Sequence, residues 1–265
     1  MPTVTSKDGT KIAYETKGKG PALILVDGAL CYRGFGPMQH LSELLEPDFT
    51  VYIFDRRGRG ESGDTKPYSV EREVEDLAAL IEAAGGTAYV YGISSGACLV
   101  LEAAARLGKQ MSKIALYEPP YNADSPAVAQ WKDYRRQLHE ALSQGQRGEA
   151  VILFMNLVGT PAEAVEGMRH APVWPMFEAV APTLEYDAAD IGEARKPPVE
   201  RVAKISVPTL LMDGGANLQM MPFMHASASA LAKAIPHAQQ RTLEGQTHDV
   251  KAEVIAPVLV EFFKG

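Results

Sequence analysis

Residues 88–107 read AYVYGISSGACLVLEAAARL. The first five are an apolar run of strand length, and the last twelve are rich in Ala and Leu, as a helix is. Between them lies Gly92-Ile93-Ser94-Ser95-Gly96, a G-x-S-x-G pattern. The pattern alone is weak, because composition produces one by chance in roughly one chain in ten of this length. Its setting makes it informative. A strand that turns sharply into a helix needs small residues on both sides of the turn, and a serine at its apex is held strained and exposed. The amino terminus of the helix favours negative charge developing beside it. Ser94 is therefore the candidate nucleophile. The plainer reading is a Gly/Ser turn or a phosphate-binding loop.

The same form repeats along the chain. ALILVD (22–27), TVYIFD (50–55), KIALYE (113–118), PTLLMD (208–213) and QRTLEG (240–245) are further strand signals, and IAYET (12–16) precedes them. The continuous apolar runs suit strands buried on both faces. Helix-length segments lie between them: 70–84, with Val70, Val74, Leu77 and Ile81 on one face, then 96–107, 223–234 and 254–263. Strands alternating with helices predict right-handed crossovers and a mostly parallel sheet of the α/β class. Between Glu118 and Ile205 the strand rhythm stops. Helical spacing over 124–142, 149–157 and 163–170, broken by Pro161, Pro172, Pro175 and Pro182, predicts a helical insertion. The expected organisation is a core of 1–120 and 202–265 with a helical cap at 121–201.

Composition narrows the function classes. The chain has 265 residues, 46% hydrophobic and 22% charged, which is ordinary for a globular protein. Its net charge of −7 disfavours nucleic acid and anionic membrane as partners. Two cysteines, Cys31 and Cys98, form no metal-ligand spacing. No apolar run is long enough for a membrane span, and the first residues lack the pattern of a secretory signal, so the expected location is cytoplasmic. Neither dinucleotide nor P-loop glycine patterns occur at a strand–helix junction. The expectation is a small-molecule substrate, no cofactor and no metal, in a monomer or homodimer.

These motifs in this order resemble the α/β-hydrolases, over nearly the whole chain. The resemblance rests on VDGAL (26–30), DRRGRGES (55–62), GISSG (92–96), the helical insertion and GQTHD (245–249). It implies that the backbone amides of Ala29 and Ser95 form an oxyanion hole, and that His248, alone among six histidines, is the general base. The family usually has His-Gly where this chain has Asp27-Gly28. An ionised Asp27 there opposes an oxyanion unless it is paired, and Arg57, which matches the arginine of the family's D-x-R-G-x-G-x-S loop, is the expected partner. The plainer reading is that Asp27 ties its loop together.

The acid is the difficult member. The family most often places an Asp after the strand matching PTLLMD, where this chain has Asn217. Some members, the haloalkane dehalogenases among them, carry it after the sixth strand instead, which implies Glu118. Asp213 is the alternative acid, and Asn217 an alternative orienter of the histidine. Ser94 at the nucleophile position argues against dehalogenation, which uses Asp there. Leu30, Met38, Trp131, Trp174 and Met220 are candidate pocket residues, although apolar residues of this kind more often pack a core. The leading expectation is a serine hydrolase cleaving a small apolar ester, thioester or lactone. A carbon–carbon hydrolase or cofactor-free lyase uses the same residues. A catalytically silent ligand-binding protein is the third reading, supported by Asn217 and Asp27.

Overall fold

The computed structural model describes residues 1–265. Eight strands form one sheet: β1 (Thr3–Thr5), β2 (Lys11–Lys17), β3 (Ala22–Val26), β4 (Thr50–Phe54), β5 (Ala88–Ile93), β6 (Met111–Tyr117), β7 (Thr209–Gly214) and β8 (Gln239–Leu243). Their order is β1-β2-β4-β3-β5-β6-β7-β8. The pairs of β2 with β1 and β4 are antiparallel, and every other pair is parallel. The chain steps from β3 outward to β4, then crosses back to β5 on the other side of β3. Such a reversal opens a crevice at the carboxyl ends of the two central strands, where ligands of open sheets bind. The segments after β3 and β5 are VDGAL and GISSG.

Alternation along β3 shows why the sheet is covered on both faces. Ile24 and Val26 pack on one side with Val74 and Leu77 of α2 (after α1, Met38–Leu45, α2 is Val70–Ala83) and with Leu101 of α3 (Ser95–Leu107). Leu23 and Leu25 face the other way. They pack with Leu41 and Leu45 of α1 and with Leu259 and Phe263 of the last helix. Successive strand residues point to opposite faces, so a run of five apolar residues feeds two cores.

Between β6 and β7 the chain is helical, as expected. It forms α4 (Ser125–Ser143), α5 (Arg147–Leu157), α6 (Ala162–Arg169), α7 (Trp174–Val180), α8 (Leu184–Ile191) and α9 (Val199–Val202). Helices α4 to α8 share a third apolar cluster, including Trp131, Leu138, Val151, Trp174, Phe177 and Leu184, and Leu30 from the loop after β3 joins it. The insertion therefore sits against the carboxyl edge of the sheet. The remaining helices are α10 (Asn217–Met220), α11 (Pro222–Ala234) and α12 (Ala252–Lys264). No helix is long and apolar enough to cross a membrane.

Candidate active site

Ser94 caps the turn from β5 into α3 with φ 56° and ψ −128°. That conformation is sparsely populated for a residue with a Cβ and costs of order 1–3 kcal/mol. Two glycines make the turn possible. A Cβ on Gly96 would lie 2.5 Å from the carbonyl oxygens of Val26 and Asp27, and one on Gly92 would lie 2.7 Å from the Gly96 carbonyl. The Ser94 N–H donates to the Tyr117 carbonyl (2.9 Å), which ties the apex to the end of β6. The residue that follows β6 is Glu118.

Glu118 is fully buried and also has a positive φ of 46°. His248 Nδ1 hydrogen-bonds its Oε2 at 2.7 Å. The Gly214 N–H donates to Oε1 (2.8 Å), and Asn217 Nδ2 donates to both oxygens (2.9 Å each). The carboxylate thus meets four nitrogen contacts. With a proton on Nδ1 that bond is a donation to the carboxylate, and Nε2 is left as an acceptor. The loop bearing the histidine is held by the Tyr117 hydroxyl, which donates to the Thr247 carbonyl, and by the Ala216 N–H on the Gln246 carbonyl (3.0 Å). The imidazole keeps about a third of its surface exposed.

The alternatives fall elsewhere. Asp213 is fully buried but faces His225 Nδ1 (2.9 Å) and the Thr242 hydroxyl (3.1 Å), not His248. Asn217 contacts the carboxylate rather than the ring. Among the candidate pocket residues, Leu30, Trp131 and Trp174 belong to the cluster between insertion and sheet. Met38 packs instead in the core under β3 and β5, and Met220 is 67% exposed. A cavity of about 560 Å³ lies beside α2, α3 and residues 189–198, and includes none of Ser94, Glu118 and His248.

The expected Asp27–Arg57 pair does not form. Arg57 is turned toward the other end of its loop, where it holds Asp76 through Nε (2.8 Å) and Nη2 (2.6 Å) and Asp8 through Nη1 (2.9 Å). Asp27 is buried, and its Oδ1 has no partner. Burial pushes its carboxyl up to about 7, with Asp55 adding to the shift and Arg59 and Arg56 opposing it.

Sequence reasoning missed the residues that do surround this loop. Arg56 forks onto Glu73 (2.8 Å twice), reaches Asp187 (2.8 Å) and binds Asp190. Arg59 donates from Nη2 to both oxygens of Asp187 (2.8 Å each), from Nη1 to the Gly28 and Cys31 carbonyls (2.5 and 3.0 Å) and from Nε to the Thr183 hydroxyl (3.0 Å). The Ser95 hydroxyl donates to Asp187 (2.7 Å). Burial works against the Asp187 charge, but Arg59 and Arg56 outweigh it and hold the carboxyl below its usual range. Burial beside Glu73 pushes the Asp190 carboxyl well above the usual range despite Arg56. The sequence signal was three arginines in DRRGR and two aspartates three apart in YDAAD, a spacing that places both on one helix face.

The sequence pattern described as the alpha/beta hydrolase family matches residues 25–256. A solved α/β hydrolase from Sphaerobacter thermophilus is 51% identical, with a TM-score of 0.89 over 99% of this chain and 100% of that one. A thermophilic esterase from Thermogutta terrifontis shares the fold at 23% identity and a TM-score of 0.71, covering 99% and 97% of the two chains. An uncharacterized hydrolase from Bacillus subtilis, YraK, is 32% identical over 118 residues, so the match spans 42% of each chain. The match over residues 25–256, together with the whole-length likeness to the Sphaerobacter protein, shows that the chain belongs to the α/β hydrolase family.

Proposed function

We propose that the protein is a serine hydrolase cleaving a small, largely apolar carboxylic ester, thioester or lactone. Ser94, His248 and Glu118 are its triad, and the Ala29 and Ser95 amides its oxyanion hole. The observation that carries this reading is the 2.7 Å bond between His248 and the buried Glu118, one residue past the carbonyl that anchors Ser94. The Ser94 oxygen attacks the acyl carbon while His248 Nε2 takes its proton. The carbonyl oxygen gains the negative charge and is met by the two amides, commonly the largest electrostatic contribution to such a step. Collapse expels the alcohol, which receives the proton from His248. Water then gives His248 a proton, adds to the acyl carbon, and the acid leaves as Ser94 regains its hydrogen. Glu118 keeps its hydrogen bond to Nδ1 throughout and stabilises the imidazolium.

The helical insertion serves as the cap in this reading. Leu30, Phe35, Trp174 and Phe177 lie in or against its apolar cluster beside the loop after β3, which favours an apolar substrate. The silent-binder reading drew on the missing Asp at 217, and Glu118 supplies the charge that Asn217 lacks. Labelling with an organophosphonate tests the proposal. Ser94 should be modified stoichiometrically, Ser94→Ala should stay unlabelled, and p-nitrophenyl esters of increasing length should rank the acyl chain. An unlabelled wild-type protein, inert toward the whole ester series, would falsify it.

A further inference from the structure

We infer that Arg59 and Asp187 are positioning residues that set the two halves of the oxyanion hole from opposite sides, so that the hole is complete only with the insertion docked. The inference rests on the oxyanion assignment above and adds what holds it. The first amide belongs to the peptide unit joining Gly28 to Ala29. The C=O and N–H of a trans peptide point in opposite directions. Arg59 Nη1 donates to that unit's oxygen at 2.5 Å, on the side away from the Ala29 N–H. This bond fixes the plane of the peptide and so the aim of its N–H. A cation on the oxygen also polarises the amide, and in a buried site that makes its N–H a stronger donor.

The second amide is that of Ser95. Its side chain, not its backbone, is tied: the hydroxyl donates to Asp187 Oδ1 at 2.7 Å. Arg59 binds that same carboxylate on both oxygens. One carboxylate therefore links the loop after β4 to the first turn of α3, and through Arg59 it reaches the loop after β3. It comes from α8 of the insertion, 92 residues along the chain from Ser95 and 128 from Arg59. Arg59, Ser95 and Asp187 are all buried. Stability alone does not call for such a cluster, because well-packed apolar residues in place of a buried ion pair are often as stable or more so. What apolar residues cannot do is orient two amides to within a fraction of an ångström.

The test uses Ser95→Ala, Arg59→Lys and Asp187→Asn, with p-nitrophenyl acetate and two inhibitors. A trifluoromethyl ketone adds the Ser94 oxygen to its carbonyl carbon, passes the serine proton to His248 and leaves an oxyanion in the hole. Its methyl ketone counterpart binds without that charge. Each variant should lose about 10- to 100-fold in kcat, less than the 10²–10³ for removing a donor outright, with KM changed less than about threefold. Affinity for the trifluoromethyl ketone should fall by the same factor, and affinity for the methyl ketone should hold. If melting temperature drops while kcat and the ratio of the two affinities stay within about threefold of wild type, the residues are structural and the inference fails. Should Arg59→Lys or Asp187→Asn not fold, Ser95→Ala decides, because it leaves the Arg59–Asp187 pair intact. Organophosphonate labelling separates the two levels: a labelled wild type with unimpaired variants sinks the inference alone. An unlabelled wild type sinks the hydrolase reading and the inference with it.

Discussion

Two buried carboxylates sit at the ends of neighbouring strands, and each holds the Nδ1 of a histidine. Glu118 follows β6 and binds His248 at 2.7 Å, while Asp213 lies inside β7 and binds His225 at 2.9 Å. Both carboxylates are fully buried, and both imidazoles are partly exposed. The difference lies in what else each touches. Glu118 has left the strand, and its oxygens collect a backbone N–H and an amide side chain. Asp213 is still in register with β8, and its other contacts are the Thr242 hydroxyl and the Gln240 amide of that strand. The first pair adjoins the carbonyl that anchors Ser94. The second joins β7 and β8 to α11. The same carboxylate–imidazole pairing thus occurs twice, and in the proposed function its neighbours decide which pair carries the chemistry.

The largest expected contrast is between the two histidines. His248→Ala should lower kcat by about 10⁴- to 10⁶-fold, as loss of a triad base does. His225→Ala should leave kcat within about threefold and lower the melting temperature. Steady-state rates on one ester, with thermal melts, would expose a reversed assignment at once. Next are the isosteric changes at the acids. Glu118→Gln should cost about 10³- to 10⁴-fold in kcat with the fold retained, because the ring loses its charged partner. Asp213→Asn should cost little turnover, and a comparable loss there would break the comparison.

Asn217→Asp sharpens it. That variant places a second carboxylate against Glu118, removes the amide donor, and reproduces the residue more usual at this position. Two carboxylates this close cannot both ionise readily, so the pair retains a proton to higher pH. The acid limb of the kcat profile should move upward, with about a tenfold loss near neutrality that recovers in alkali. An unchanged profile would show that Asn217 is only a spacer.

Asp27 gives the smallest effect, in stability. Its folded carboxyl lies near 7 against an unfolded value of 3.8, so the folded state holds an extra proton between those limits. Stability therefore falls as pH rises from about 4 to 7 and stays lowered above that. Asp27→Asn removes the ionisation. It should raise the melting temperature by several degrees at pH 8.5, with the gain shrinking toward nothing at pH 4. A gain independent of pH would place its cause elsewhere than in this carboxyl.

Much of this arrangement was legible in the sequence, and the limits are physical. The strands from β2 to β8 announced themselves as apolar runs, and the G-x-S-x-G turn because its parts are contiguous. The three-residue β1 and the eight-residue α1 were too short to carry a period. So were α7 and α8, which depend on packing with the other insertion helices, and the four-residue α9, whose Val202 joins the core with α3 and α11. Glu118 was reached only through the resemblance, since nothing local marks a strand-end Glu as an acid. The Arg57 expectation failed because a loop with arginines at 56, 57 and 59 offers three cations, and the sequence does not say which way each turns. The links from Arg56 and Arg59 to Asp187 join residues more than a hundred positions apart, a relation that no window along the chain contains.

In the proposed triad the acid follows β6, and this has a consequence for how the protein can change. The connection from β7 into α11 is relieved of its usual ionic duty, and only Asn217 within it is buried against the charged centre. Leu218 and Met220 in the same connection stand 44% and 67% exposed. Mutation can recolour residues 218–221 at little cost to Glu118 and His248, because the contacts those two receive from this connection come from Ala216 and Asn217. It is the stretch where new substrate preferences can be explored while turnover survives, and a library confined to residues 218–221 is the natural place to begin selecting them.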